Sequence, residues 1–220
     1  MAVSLAVSEI FKSIQGETSY AGLPCSFVRT AGCNLRCAYC DTAYAWDDGD
    51  AARLTVDEIC RRVEPFGTRL VCITGGEPLL QPEGVAALAR RLLAAGRTVL
   101  LETNGTLDLG AVPEGVVRIM DVKCPGSAED GKTLPGNLEL LGPRDEAKFV
   151  LTDRRDLDWA VAFVRERGLG GRGGPAVLFS PAHGLLPARE LAEWILEAGL
   201  DVRLQLQLHK LLWPERERGV

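Results

Sequence analysis

Ser26-Phe-Val-Arg-Thr-Ala-Gly-Cys-Asn-Leu-Arg-Cys-Ala-Tyr-Cys40 joins a short apolar run to a loop that holds three cysteines within eight residues. Residues 26–29 read as a β-strand, being apolar, short and bounded by turn formers. Runs of the same kind recur at 70–73, 98–102, 116–122, 147–151 and 176–180. Amphipathic stretches separate several of them. The clearest helix covers 82–95, where Val85, Leu88, Ala89, Leu92 and Leu93 fall at helical spacing behind Pro82, a residue suited to a first helical turn. Segments 156–167 and 187–198 fit two more. Strands alternating with helices predict a parallel sheet in which each strand's C-terminal end feeds a loop. Helices are missing after residue 103, where about one turn fits before the next strand, and over 124–143, which is rich in Gly and Pro. A complete eightfold barrel takes about 250 residues, so 220 residues with absent helices imply one domain, 1–220, folded as an incomplete α/β (β/α) barrel of about six parallel strands. A doubly wound open sheet is the alternative.

A chain that is 46% hydrophobic and 25% charged can bury a substantial core, which excludes disordered and fibrous architectures. Lys plus Arg is 25 and Asp plus Glu is 30, for a net charge of −5. That balance opposes nonspecific attraction to nucleic acid or anionic lipid. The doublets Arg61-Arg62, Arg90-Arg91 and Arg154-Arg155 are dispersed among helices and read as solvated faces. No apolar run approaches the roughly 20 residues that cross a bilayer, and the first residues lack the pattern of a signal peptide, so the expected location is cytoplasmic. The glycines of 168–174 read as a surface loop.

The count of seven cysteines is odd and comes with no secretory signal, which weighs against a disulfide framework. Cys25, Cys60, Cys72 and Cys124 lie among apolar neighbours and read as small buried hydrophobes. Cys33, Cys37 and Cys40 differ. Gly32 and Asn34 favour a loop, and the trio follows a strand, where an α/β fold places its chemistry. Structural zinc takes four ligands, commonly in two pairs, and no second pair is present. Three cysteines suit a [4Fe–4S] cluster with one iron left open; zinc stays as the alternative, and with it an interaction or nucleic-acid module of another class.

Cys33-Asn-Leu-Arg-Cys37-Ala-Tyr39-Cys40 resembles the CxxxCxxC motif of the radical S-adenosylmethionine superfamily. The resemblance implies that the open iron chelates S-adenosylmethionine and that an electron cleaves it to methionine and a 5′-deoxyadenosyl radical. Thr74-Gly75-Gly76-Glu77 follows the next strand, where that superfamily carries a GGE turn. Gly75 and Gly76 would let backbone approach the cofactor, with Glu77 accepting from its ammonium.

Further segments are similar to the 7-carboxy-7-deazaguanine synthase family: Phe11-Lys-Ser-Ile14-Gln15-Gly16-Glu17, Arg29 with Cys40-Asp41-Thr42, Asp121-Val-Lys123-Cys124-Pro125-Gly-Ser127, and Gln207-Leu-His209-Lys210. Thr18 stands where that family usually has Gly. The resemblance implies conversion of 6-carboxy-5,6,7,8-tetrahydropterin to 7-carboxy-7-deazaguanine by ring contraction with loss of ammonia, in 7-deazapurine (queuosine) biosynthesis. By the same resemblance Ile14, Gln15, Gly16, Glu17, Arg29, Thr74, His209 and Pro214 would face the substrate, and Thr42 would ligate Mg²⁺. Tyr39, Asp41, Gly75, Gly76, Glu77, Lys123, Cys124, Pro125 and Ser127 would meet S-adenosylmethionine, as would Asp121; Glu102-Thr103-Asn104-Gly105, at a third strand end, has a weaker claim. On local chemistry Arg29 could instead pair with an acid, and Thr42 could cap a helix. Alternating Val202, Leu204, Leu206 and Leu208 predict a half-buried strand delivering His209, while His183 is read as structural. The implied partners are the pterin, a second copy of the chain, and an electron donor such as flavodoxin or ferredoxin. Activating enzymes for glycyl radical proteins share CxxxCxxC and form the rival enzyme reading.

Overall fold

The computed structural model describes residues 2–49 and 51–220. In chain order the elements are β1 (Ser4–Ile14), β2 (Pro24–Thr30), β3 (Ala52–Thr55), α1 (Val56–Val63), β4 (Leu70–Gly75), α2 (Pro82–Ala94), β5 (Thr98–Thr103), β6 (Val117–Asp121), α3 (Pro135–Glu139), β7 (Glu146–Leu151), α4 (Arg154–Arg167), β8 (Ala176–Pro181), α5 (Ala188–Ala198), β9 (Arg203–Leu204) and α6 (Leu208–Leu212). They build one nine-stranded sheet in the order β3-β1-β2-β4-β5-β6-β7-β8-β9. From β2 through β9 every pairing is parallel.

The order rises without reversal from β2 to β9. A doubly wound sheet turns back at a switch point; this one winds in a single direction, as a barrel does, and stays open. The six predicted strands are β2 and β4 to β8. Helices are absent where expected, with one short 3₁₀ turn (Leu109–Ala111) between β5 and β6, and a second such turn plus the five-residue α3 between β6 and β7. Two antiparallel strands, β1 and β3, extend the edge beyond the expected set.

The parallel strands read as continuous apolar runs because both faces are covered. One face packs α1, α2, α4 and α5 over Val28, Val71, Ile73, Val99, Leu101, Phe149 and Phe179. The other holds a smaller cluster: Phe11, Cys25, Phe27, Leu70, Cys72, Leu100, Val117 and Ile119, with the Phe11 and Phe27 rings stacked at 4.9 Å. Cys25, Cys72 and Cys124 are fully buried as predicted, whereas Cys60 is half-buried. The α1 helix opens on a capping box: Thr55 accepts from the Glu58 backbone N–H while the Glu58 carboxylate accepts from Thr55. No helix among the described residues is long and apolar enough to cross a membrane.

The predicted C-terminal strand is corrected. Only Arg203–Leu204 pairs, with Leu178–Phe179 of β8, and both residues are exposed. The Gln205 N–H donates to Phe179 O, Gln205 rather than a leucine is the buried residue, and the chain then coils into α6, which carries His209.

Candidate active site

Side chains alternate across a strand, and on the inner face the last inward positions change from apolar to polar. Phe27 is followed by Arg29, Cys72 by Thr74, Leu100 by Glu102 and Ile119 by Asp121, while β7 contributes Lys148. Arg29 lies opposite Thr74, and Asp121 opposite Lys148. These groups line a cavity of about 520 Å³ at the C-terminal strand ends, over a floor that includes Phe27 and Ile119. That size suits a small-molecule site.

Cys33, Cys37 and Cys40 form one wall, with Tyr39 between the last two. Backbone bonds hold their loop from several sides: Cys33 N to Trp46 O (2.9 Å), Ala38 N to Ser127 O (3.0 Å) and Arg36 N to Glu129 Oε1 (2.6 Å). Leu35, 2% exposed, anchors the loop. Burial pushes the Cys33 and Cys37 thiols up; at Cys37 the Lys123 ammonium works against that rise. Among the described residues no three His, Cys, Asp or Glu groups converge as a single ion requires. A cluster, which offers each thiolate its own iron, asks only that the three share a wall. Gly75 and Gly76 pass directly behind it: a Cβ on Gly76 would strike the Gly32 carbonyl and lie 2.8 Å from Ala45 O, and Gly75 has φ +149°.

Several expected contacts lie outside this cavity. Glu77, fully buried, accepts from Asn104 N (2.7 Å), Leu79 N (2.9 Å) and Thr103 Oγ1 (2.9 Å), while its own N–H reaches Gly32 O (2.8 Å). It ties the β4 turn to the β5 end and to the cysteine loop; it does not face the cavity. Cys124, Pro125 and Ser127 back the same loop, through the Ser127 carbonyl, and Gly126 N donates to Asp156. Pro214 is exposed, and Val220 reaches the cavity in its place. His183, read as structural, stands on the cavity wall.

A second wall joins residues far apart in sequence. Gly16 O accepts from Leu208 N (3.0 Å), and a Cβ on Gly16 would collide with His209 Nδ1. Glu17 accepts from Lys148 Nζ (2.6 Å) and Gln207 Nε2 (3.0 Å). Asp41 faces Lys210 Nζ at 3.3 Å and His209 Nε2 at 3.7 Å. Burial pushes the Asp41 carboxyl up, yet hydrogen bonding to His209, the Lys210 charge and the Thr42 hydroxyl outweigh it and hold it below the usual range. Thr42 precedes a short 3₁₀ turn without capping it; its hydroxyl donates to Asp41 (2.9 Å). Arg29 Nε is 2.7 Å from Glu9 Oε1, which also accepts from the Tyr44 hydroxyl (2.7 Å), and Gly219 N donates to Glu9 Oε2 (3.2 Å). Thr18 has φ +68° and is 1% exposed. A left-handed backbone explains a family preference for Gly there.

The chain is 45% identical to the 7-carboxy-7-deazaguanine synthase of Koribacter versatilis, over 98% of its own length and all of that relative's. The chain belongs to the 7-carboxy-7-deazaguanine synthase family. The enzyme of that name from Chlorobaculum tepidum is 44% identical over 98% of this chain and 97% of its own. Residues 27–122 match the radical SAM superfamily model. The fold matches the crystal structure of QueE from Escherichia coli with a TM-score of 0.77, at 22% identity, over 93% of this chain and 94% of that one. Membership in this synthase family removes the basis for the glycyl-radical activating and zinc-module alternatives.

For a 7-carboxy-7-deazaguanine synthase of the radical SAM superfamily, the implied groups are a [4Fe–4S] cluster and S-adenosylmethionine. Among the described residues, three buried polar atoms of the cavity lining lack partners: Gln15 Nε2, the Tyr39 hydroxyl and Asp121 Oδ1. Such orphans are rare unless something binds them, and they span both walls, so the residues present fit a pair of polar ligands beside a thiolate wall. Lys148, Gln207 and Lys210 were not singled out as contacts from the sequence, and Asn104 and Glu102 had only the weaker claim of their turn; all five line the cavity. A cation inside the apolar run 147–151 was the available signal for Lys148.

Proposed function

We propose that this chain is a radical SAM lyase that converts 6-carboxy-5,6,7,8-tetrahydropterin to 7-carboxy-7-deazaguanine in 7-deazapurine biosynthesis. The observation that supports this reading is one cavity lined both by the three cysteines and by Gln15, Gly16, Glu17 and His209. Substrate and product differ by ammonia, so the protein's task is to hold one carbon in place and shield it. Cys33, Cys37 and Cys40 would hold the cluster, with Tyr39, Asp41, Gly75, Gly76 and Lys123 around the methionine and adenosine portions. When bound, the cluster and S-adenosylmethionine supply hydrogen-atom abstraction by a primary carbon radical.

Arg29, kept in place by Glu9, offers the remaining N–H groups of its fork to the substrate carboxylate. Gln15 Nε2 donates to the flat ring's edge, and Glu17 accepts from it. Ile14, Thr74 and His209 complete that surface. Thr42 beside Asp41 presents two oxygen donors, a set that suits Mg²⁺. Phe27, Leu35, Ile119 and Val150 line the cavity with groups that carry no exchangeable proton and keep water out. Glu77, Cys124, Pro125 and Ser127 act one layer behind, by fixing the cysteine loop. The same reading gives one domain over 1–220, a second copy as partner, a one-electron donor such as flavodoxin or ferredoxin, and a cytoplasmic location.

Anaerobic reconstitution with iron and sulfide, then incubation with S-adenosylmethionine, Mg²⁺, a reductant and the carboxypterin, tests the proposal. Product mass corresponding to loss of ammonia is expected. Deoxyadenosine formed without that product would keep the superfamily chemistry and reject this substrate.

A further inference from the structure

Lys148 sits where a strand buried along its whole length would otherwise place an apolar residue, and it is 8% exposed. Its Nζ lies 2.6 Å from Glu17 Oε2 and 3.8 Å from Asp121 Oδ2, and Lys123 Nζ lies 2.8 Å from that same Asp121 oxygen. Charges therefore alternate along Glu17, Lys148, Asp121 and Lys123, from the wall carrying Gln15 to the wall carrying Tyr39, whose ring centroid is 5.7 Å from Lys123 Nζ. A buried ammonium is tolerated only with such partners. Glu17 uses one oxygen on Lys148 and the other on Gln207, so its carboxylate plane is fixed with lone pairs left toward the cavity.

We propose that Lys148 is a positioning residue: it holds Glu17 as an oriented carboxylate that accepts the N–H groups of the pterin's aminopyrimidinone edge, and it ties that carboxylate to Asp121 on the cofactor side. This rests on the substrate reading given above. Burial alone would push the Glu17 carboxyl up; Lys148, then His209, pull it below its ordinary value of 4.5, and the Lys148 and Gln207 hydrogen bonds add to that. The groups facing Glu17 are Lys148 from β7 and Gln207 and His209 from the C-terminal segment, while Asp121 of β6 and Glu102 of β5 act on Lys148.

The test compares wild type, Lys148→Met, Lys148→Gln and Lys148→Arg as anaerobically reconstituted proteins. Two readouts are taken: the titration of Glu17 by carbon-13 NMR, assigned with Glu17→Gln, and the Kd of 6-carboxypterin by fluorescence between pH 8 and 6. Wild type and Lys148→Arg should keep Glu17 ionised throughout and change Kd less than about twofold. Lys148→Met and Lys148→Gln should move the titration upward and weaken binding as the pH falls, by about a factor of ten for each pH unit below the shifted midpoint. Should Lys148→Met fail to fold, Lys148→Gln, which keeps an N–H donor without the charge, carries the comparison. An unchanged Glu17 titration in the neutral variants would overturn the proposal. A wild-type protein that binds no pterin at any pH would reject the substrate reading, while the NMR titration still decides the role of Lys148.

Discussion

Replacing Glu77 with alanine separates two roles for the carboxylate of the GGE turn. As an acceptor for the cofactor's ammonium, Glu77 would matter to ligand affinity and little to folding. Its surroundings say otherwise: three donors point at it, two of them the backbone N–H groups of Leu79 and Asn104, which are 4% and 7% exposed. The Thr103 hydroxyl can rotate to another acceptor, but the two amides cannot. Leaving a buried donor unsatisfied costs roughly 1–3 kcal/mol, so Glu77→Ala should destabilise by about 4 kcal/mol, a large share of the roughly 5–15 kcal/mol a domain has. For a chain of this size that is a fall in Tm of roughly 8–16 °C. Glu77→Gln keeps one acceptor oxygen and turns an NH₂ toward a donor, so it should lose about half as much. Urea unfolding of the anaerobically purified proteins measures both, and binding of S-adenosylmethionine is followed in parallel. A Glu77→Ala protein within about 0.5 kcal/mol of wild type that has lost S-adenosylmethionine affinity would refute the clamp and restore the direct contact.

Three further outcomes follow from the same geometry. Arg29→Ala should abolish carboxypterin binding while iron and sulfide content stays intact; Glu9 keeps its Tyr44 and Gly219 donors, so the loss in urea unfolding should stay within roughly 1–3 kcal/mol, and loss of the cluster would mean that Arg29 is structural. Gly16→Ala puts a methyl group on His209, so turnover should fall with cluster absorbance unchanged; full activity would show that α6 does not need this approach. The Glu17 and Asp121 carboxyls, ordinarily at 4.5 and 3.8, are raised by burial but lowered further by Lys148 and Lys123, and both end below those values. Their contribution to stability is full above about pH 4.5 and drains as pH falls toward the folded values; Lys148 and Lys123, both raised, keep theirs up to about 10.5 and lose it only above. Urea midpoints should therefore be flat across neutral pH and drop in acid, with Glu17→Gln flattening part of the acid limb.

The parallel strands were legible because burial on both faces leaves uninterrupted apolar runs, and the cysteine loop because its spacing and its place after a strand agree. The antiparallel β1 was not: Leu5, Ala6 and Val7 are all buried and a bulge follows between Val7 and Glu9, so no clean alternation survives. The α1 helix carries its start in Thr55 and Glu58, the Thr-x-x-Glu pattern of a capping box, but is too short to show a helical apolar period. The alternation of residues 202–208 is real in the sequence, but β8 offers only two pairing residues there, and the backbone leaves the sheet before the pattern can act. Lys148 could be flagged from its apolar setting, yet its partner Glu17 is 131 residues away, and no local pattern encodes that meeting. Glu77 shows the opposite case, a residue whose motif was plain and whose contacts turned out to serve the scaffold.

The C-terminal segment is tied back to the start of the chain by pairs such as Glu17 with Gln207 and Glu9 with Gly219, which are 190 and 210 residues apart. Such contacts carry the highest closure entropy in the chain and form late. A chain made from its N-terminus holds Cys33, Cys37 and Cys40, and the Gly75–Gly76 and Cys124–Ser127 turns that back them, before it holds Gln207 and His209. The thiol side of the cavity is thereby covalently complete well ahead of Gln207 and His209, which join it only when distant parts of the chain close on each other.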